Sequence, residues 1–223
     1  MTEGTAVHQT FHQKLDALKS ALVALSQRAE AVLDLSLAAL HAGDTTRAQE
    51  VLLADREVDR LEVQMEHDAI ALLALQQPMA RDLRFIISVI KITHDLERVG
   101  DHAVNIAGSK MRMAALESHL PVPPELEEMG RLARAMLKDS LDAVIRLDGV
   151  LGREICARDD AVDALHETLF RNLLTRMMEQ PRTISFALEL LLVGRNLERV
   201  ADLATNIAED AVYLAEGVSI KHH

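Results

Sequence analysis

The feature that most constrains this fold is an internal repeat, because the second half of the chain resembles the first. Leu96–Ala107 and Leu197–Ala208 are identical at nine of twelve aligned positions, and Pro78 aligns with Pro181 upstream of them. The period is about one hundred residues, which is too long for the unit of a solenoid. The chain is therefore predicted to be a duplicated module.

Each module carries the apolar pattern of three long amphipathic helices, with breaks at glycine and proline. The six predicted helices span about 11–40, 44–75, 79–117, 124–149, 153–179 and 182–217. The prolines between Pro121 and Pro124 are the best candidate for a linker. We therefore predict an all-α fold of two tandem, duplicated three-helix bundles of long antiparallel helices, at residues 10–118 and 123–217.

Composition and charge exclude several other classes of protein. Aromatic residues make up only 2% of the chain, which disfavours a β-sandwich or barrel. The net charge of −11 disfavours binding to nucleic acid or to an anionic membrane surface. A single cysteine, Cys156, fits a reducing compartment. Met1–Thr10 has no secretory pattern and no apolar run reaches 18 residues, so we expect a soluble, cytoplasmic protein without membrane insertion.

Pairs of acidic residues spaced four apart recur in both modules. They are Asp55 with Asp59, Glu97 with Asp101, Asp159 with Asp163, and Glu198 with Asp202. Residues at this spacing share one helix face, so each pair can direct two carboxylates at one point. Four carboxylates gathered from two neighbouring helices repel each other unless they are protonated or bound to a cation. Oxygen-rich sites of this kind suit magnesium, manganese, calcium or oxidised iron.

Two interpretations of these pairs stay open. With this acid content, about five to six same-face pairs arise by chance, so the number of pairs decides nothing and a solvated helix face is the plain alternative. Recurrence of the same pairs at equivalent places in both modules favours metal binding. Asn105 and Asn206 extend the third-helix pairs by one turn. His102 aligns with Leu203, so a ligand role for His102 would make the two sites different.

The third-helix motif of each module and the stretch Gln77–Arg84 resemble the PhoU family of phosphate-signalling regulators. The likeness covers the chain from about Phe11 to Gly217. It implies two similar three-helix bundles, a homodimer and, as in some members, iron or zinc clusters; manganese or magnesium also suits the oxygen donors. Carried over residue by residue, the resemblance implies one metal site at Asp55, Asp59, Glu97 and Asp101 and a second at Asp159, Asp163, Glu198 and Asp202.

The resemblance also implies a function. Family members are negative regulators of the phosphate-starvation response and of phosphate uptake. We therefore expect a non-enzymatic, metal-binding adaptor between the ATPase subunit of a phosphate ABC transporter and a sensor histidine kinase. One departure from the family pattern affects the second site, where Ala201 and Leu203 replace Gly100 and His102 of the first.

The main alternative is a di-iron carboxylate enzyme of ferritin type, or a metal-storage bundle. Such proteins use two Glu-x-x-His motifs from facing helices. The sequence has none, and its nearest approach is Asp163 followed three residues later by His166. The regulator is therefore the preferred hypothesis.

Overall fold

The computed structural model describes residues 3–76, 78 and 80–220, with side chains for 11–74, 78 and 80–220. Within these residues the chain is helical and contains no β-strand, which confirms the all-α prediction. The elements are α1 (Glu3–Ala42), α2 (Thr45–Gln76), α3 (Ala80–Ala114), α4 (Pro124–Arg146), α5 (Gly149–Cys156), α6 (Asp159–Glu179), a 3₁₀ turn (Pro181–Thr183) and α7 (Ile184–Glu216). Gln77 and Met79, which belong to the stretch between α2 and α3, lie outside the described residues, as do Met1 and Thr2.

Several helices begin or end at residues that are typical helix caps. Asp44 Oδ1 accepts hydrogen bonds from the backbone N–H groups of Thr46 at 2.9 Å and Arg47 at 3.3 Å, which starts α2. Gly43 has a φ of 66° and Gly217 a φ of 74°, the left-handed conformation that commonly ends a helix. None of the helices in the described ranges is both long and apolar enough to cross a bilayer.

The second module differs from the prediction at its first helix junction. A single long helix was expected from Arg153, but α5 is a separate helix of two turns. Leu147 takes a left-handed φ of 54°, which ends α4, and Asp148 Oδ1 caps α5 by accepting N–H bonds at 3.1 and 3.0 Å. A Cβ on Gly152 would come within 2.8 Å of the Ala208 carbonyl oxygen, so glycine lets α5 lie close against α7.

The first bundle consists of α1, α2 and α3, and the second of α4, α5, α6 and α7. The bundles meet mainly where α3 packs against α7. Polar contacts between these two helices include Lys91 Nζ with Asp210 Oδ1 at 3.4 Å, His102 Nδ1 with Asn196 Oδ1 at 2.9 Å, and Arg112 Nε with Glu189 Oε1 at 2.8 Å. Numbers rise along α3 as they fall along α7, so the two helices are antiparallel. Their repeated motifs therefore lie near the middle of the molecule.

Candidate functional site

The first four predicted ligands lie on facing turns of α2 and α3, and we call them acidic cluster 1. Asp55 and Asp59 come from α2, and Glu97 and Asp101 come from α3. The Asp55 residue is buried, with 9% of its surface exposed, and Glu97 is half-buried. Asp59 and Asp101 are exposed. The cluster therefore has an inner carboxylate and an outer, solvated edge.

Burial and repulsion from neighbouring carboxylates raise the pKa of the inner carboxyl group, that of Asp55. Burial raises the pKa of Asp55 to about 6, and the charges of Asp59, Asp101 and Glu97 add to the rise. The pKa of Glu97 is also raised, first by burial and then by Asp101, although His94 opposes the shift. Asp55 Oδ1 is buried and accepts no hydrogen bond from any described residue. A buried acceptor in this condition is costly, and a proton or a cation would relieve the cost.

Gly100 on α3 makes room for the buried carboxylate. A Cβ at this position would collide with Asp55 Oδ1. Glycine inside a helix costs about 1 kcal/mol relative to alanine. Its presence here therefore lets Asp55 approach the α3 backbone more closely than any other residue type would allow.

The other four predicted ligands lie on facing turns of α6 and α7, and we call them acidic cluster 2. They are Asp159, Asp163, Glu198 and Asp202. Burial raises the pKa of Asp159 to about 6, and Asp202 and Asp163 are the next largest causes. Asp159 Oδ1 is buried and, like Asp55 Oδ1, accepts no hydrogen bond from a described residue. The duplication thus repeats the buried carboxylate as well as its position in the sequence.

Acidic cluster 2 has cationic neighbours that partly compensate its charge. Arg199 Nη1 donates to Asp202 Oδ2 at 2.8 Å within α7. His166 Nδ1 lies 4.0 Å from Glu198 Oε2 and compensates that carboxylate when the imidazole is protonated. Acidic cluster 1 has Gly100 where acidic cluster 2 has Ala201. The two clusters are therefore similar in ligand type but differ in space and in compensation.

The donor set of each cluster fits a hard cation, because all four groups are carboxylates and one buried oxygen has no partner. In the part of the chain that the structure describes, however, no three histidine, cysteine, aspartate or glutamate side chains converge closely enough to hold one metal ion. Ligation at acidic cluster 1 would therefore require the exposed Asp59 and Asp101 side chains to rotate toward Asp55. The structure places the four residues of each cluster on facing helix turns without bringing their carboxylates to a common point, and metal binding stays a prediction.

Three other polar residues that the sequence singled out have different environments. His102 Nδ1 contacts Asn196 Oδ1 on α7 at 2.9 Å, so His102 belongs to the contact between the bundles. Asn105 and Asn206 are exposed. Sequence reasoning missed Asp210, which is 5% exposed and lies 3.4 Å from Lys91 Nζ. A charged residue in the apolar stretch near the end of α7 was the only available signal.

Comparison with known proteins gives one consistent family. A model of the PhoU domain matches twice, at residues 22–109 and 126–211. Among curated relatives, the phosphate-specific transport system accessory protein PhoU homologs of Pseudomonas putida and Clostridium acetobutylicum are 34% and 36% identical to this chain. These alignments cover 97% of this chain and 84% of the first relative, and 94% of this chain and 96% of the second.

Solved structures agree with these relatives. The crystal structure of PhoU from Pseudomonas aeruginosa superposes with a TM-score of 0.90 at 34% identity, covering 93% of this chain and 100% of that one. The phosphate transport system regulatory protein PhoU from Streptococcus pneumoniae gives a TM-score of 0.88 at 29% identity, covering 95% and 100%. On its two domain matches, its relatives and its fold, the chain belongs to the PhoU family.

Proposed function

We propose that this chain is a negative regulator of phosphate uptake and of the phosphate-starvation response. In this proposal it acts in the cytoplasm as a non-enzymatic adaptor between the ATPase subunit of a phosphate ABC transporter and a sensor histidine kinase. Support comes from relatives that are described as accessory proteins of a phosphate-specific transport system. The finer parts of the proposal, which are the adaptor role, the metal and the homodimer, need separate tests.

The observation that supports a bound metal is the buried, unpartnered Oδ1 of Asp55 beside three further carboxylates. Asp55, Asp59, Glu97 and Asp101 would hold the cation in the first module. A bound cation would supply positive charge there and link α2 to α3. The carboxylates themselves bind and orient, and a regulator needs no bond to be made or broken at this site.

Metal content tests this part of the proposal. We would purify the chain without chelator or metal-affinity resin and measure iron, zinc, manganese and magnesium by plasma mass spectrometry. We expect bound metal that is reduced by Glu97→Ala with Asp101→Ala, and reduced again when Glu198→Ala and Asp202→Ala are added. Glu30→Ala with Asp34→Ala is the matched control, because it removes a same-face pair of α1 that belongs to neither cluster. If the wild-type protein contains no metal, the acidic pairs are solvated helix faces and this part of the proposal is wrong.

Regulation is tested in a bacterial strain that lacks its own copy of the regulator. In phosphate-rich medium, the chain should restore low phosphate uptake and low transcription from a phosphate-starvation promoter. Direct binding to the purified transporter ATPase and to the kinase should weaken as salt rises, because the chain carries a net charge of −11. Failure to restore repression would contradict the regulatory role, and binding indifferent to salt would contradict the proposed charge attraction.

A further inference from the structure

A cavity of about 460 Å³ lies between the two bundles, beside the end of α4, and we call it the inter-bundle cavity. Its walls come from α1 and α3 of the first bundle and from the ends of α4 and α7 of the second. The volume falls within the range of roughly 300–1,000 Å³ that ligand pockets occupy, and contacts between domains are a preferred place for such pockets. No residue of either acidic cluster lines it, so the cavity is separate from the candidate metal sites.

The duplication gives this cavity a counterpart at the other end of the contact between α1 and α4. A shift of 104 positions, which aligns the acidic pairs of α2 and α6, also aligns Val23 with Glu127 and His41 with Ile145. Val23 and Ile145 line the inter-bundle cavity, whereas Glu127 and His41 lie together at the counterpart. The same two positions of the repeat can therefore be compared in both places.

At the counterpart, charged and polar side chains bridge the two helices. His41 Nε2 lies 3.8 Å from Glu127 Oε1, and Arg134 Nε lies 2.6 Å from Asp34 Oδ1. Both pairs join α1 to α4, and they show that the two helices are antiparallel. The same register places two apolar side chains, those of Val23 and Ile145, opposite each other at the inter-bundle cavity. An apolar wall therefore replaces the imidazole and the carboxylate of the counterpart.

The phenylalanine of this region also has a different environment in each module. Phe85 of α3 aligns with Phe186 of α7 when the third-helix motifs are aligned. Phe186 is buried, and the ring of His119 from the linker stands edge-on to it, with the ring centroids 5.8 Å apart. Phe85 is half-buried and lines the inter-bundle cavity, and Lys19 Nζ lies 5.7 Å from its ring centroid. The first module thus leaves an aromatic ring at the cavity wall.

The inter-bundle cavity has an apolar end and a polar end. Val23 and Ile145 lie at the end next to α4. His12 and Lys19 line it toward the start of α1, and Arg81 lines it in the first turn of α3. Between His12 and Val23, α1 rises by about 16 Å. An elongated molecule with one polar end fits a cavity of this shape.

The charges at the polar end leave one arginine without a partner. Asp16 Oδ1 lies 3.1 Å from Lys19 Nζ, so these two charges compensate each other. The carboxylate of Asp82 lies in the first turn of α3, where the helix dipole stabilises a negative charge. Arg81 forms no ion pair with any residue that the structure describes. A ligand with a single negative charge would give Arg81 its partner.

We propose that the inter-bundle cavity binds a medium-chain fatty carboxylate. The carboxylate pairs with Arg81, and the hydrocarbon chain packs between Phe85 and the apolar end formed by Val23 and Ile145. Removing that chain from water drives binding, and the ion pair sets the orientation. The inference goes beyond the regulatory proposal and does not rest on it.

Isothermal titration of the full chain with three probes tests the chemical class of the ligand. Decanoate, decanol and decylamine share one hydrocarbon chain and differ in the charge of the head group, and each is used below the concentration at which it aggregates. We expect one decanoate to bind per chain, at least tenfold more tightly than decanol or decylamine. Arg81→Gln should weaken decanoate binding at least fivefold and change decanol binding less than twofold. Arg182→Gln, at the equivalent position of the second module, is the matched control and should change neither more than twofold.

A second variant tests the cavity itself. Val23→Glu with Ile145→His copies the polar pair of the counterpart into the apolar end, and it should weaken decanoate and decanol binding at least tenfold. Val63→Glu with Ile70→His makes the same changes at two exposed positions of α2 outside the cavity, and it should leave both affinities within twofold of the wild type. Circular dichroism and urea unfolding check that the variants are folded.

Several results would overturn the proposal. These are the absence of saturable decanoate binding, equal affinity for the three probes, decanoate binding that survives Val23→Glu with Ile145→His, and an equal loss in either control. Competition by phosphatidylglycerol vesicles would also overturn it, because the cavity would then hold an acyl chain of a membrane lipid. The titrations use chelator-treated protein without transporter or kinase, so their outcome is independent of the regulatory proposal.

Discussion

Gly100 of α3 lies directly against the carboxylate of Asp55 on α2, and a Cβ at Gly100 would collide with the buried Asp55 Oδ1. Ala201 stands at the equivalent position of the second module, and the buried oxygen there belongs to Asp159. Both halves therefore contain a buried, unpartnered carboxylate oxygen, while the space around it differs. This difference predicts that the two clusters differ in how they bind a cation.

Replacing Gly100 with alanine should weaken cation binding at acidic cluster 1. The new methyl group pushes Asp55 away from α3, while the gain in helix propensity is about 1 kcal/mol. We expect the unfolding free energy of the metal-free protein to change by no more than about 1 kcal/mol. Isothermal titration with manganese should show affinity lowered at least tenfold. Ala201→Gly is the matched control, and an unchanged titration of Gly100→Ala would contradict the crowding argument.

The raised pKa values of Asp55 and Asp159 predict a pH dependence of stability in metal-free protein. Both lie at about 6 in the folded state against an ordinary value of 3.8. Between these values the folded chain binds more protons than the unfolded chain, so these groups lower the unfolding free energy as pH rises from about 4 to about 6. Above that window they cause no further loss.

Urea unfolding with chelator at several pH values measures this effect. Asp55→Asn with Asp159→Asn removes both titrations, so the variant should lose less stability between pH 4 and pH 6 than the wild type. Asp16→Asn with Glu154→Gln serves as a control at exposed carboxyls that contribute to neither shift. A variant that follows the wild-type curve would show that other groups carry the dependence.

Cys156 should react slowly with alkylating agents. Burial, followed by repulsion from Glu209, raises the pKa of its thiol to about 11, and the thiolate is the reactive form. At pH 8 we expect iodoacetamide to modify the folded protein roughly 10- to 100-fold more slowly than the urea-unfolded chain. Mass spectrometry over time gives both rates. Glu209→Gln should speed the folded reaction, and equal rates in folded and unfolded protein would contradict the shift.

His102→Leu should leave metal content unchanged and reduce stability. His102 Nδ1 pairs with Asn196 Oδ1 at 2.9 Å, so the change leaves a polar group without its partner between the bundles. We expect a loss of about 1 kcal/mol in unfolding free energy. Adding Asn196→Leu should recover part of it, as a double-mutant cycle would show. Metal lost from the single variant would instead make His102 a ligand.

Much of the architecture could be predicted from local patterns. The helix class and the cap at Asp44 follow from residues within a few positions of one another, and the duplication follows from comparing the two halves of the sequence. The separate helix α5 was not predicted, because its start depends on Asp148 as a cap and on Gly152 lying close to α7. The second of these contacts joins residues far apart in the chain.

The sequence by itself determined the duplicated all-α fold and the four same-face acidic pairs, because helix period and residue spacing are visible within the sequence. The grouping of these pairs into two sets of four came from the family resemblance. Only the tertiary structure decided that Asp55 is buried, that Asp159 has one buried carboxylate oxygen, and that His102 belongs to the bundle contact. Burial depends on what the neighbouring helix brings to the same place. Asp55 and Gly100 meet across two helices, and His102 and Asn196 meet across two bundles. The residue pattern within one helix does not show which residues of a neighbouring helix it will contact. Only the packed structure therefore distinguishes a buried carboxylate from a solvated one.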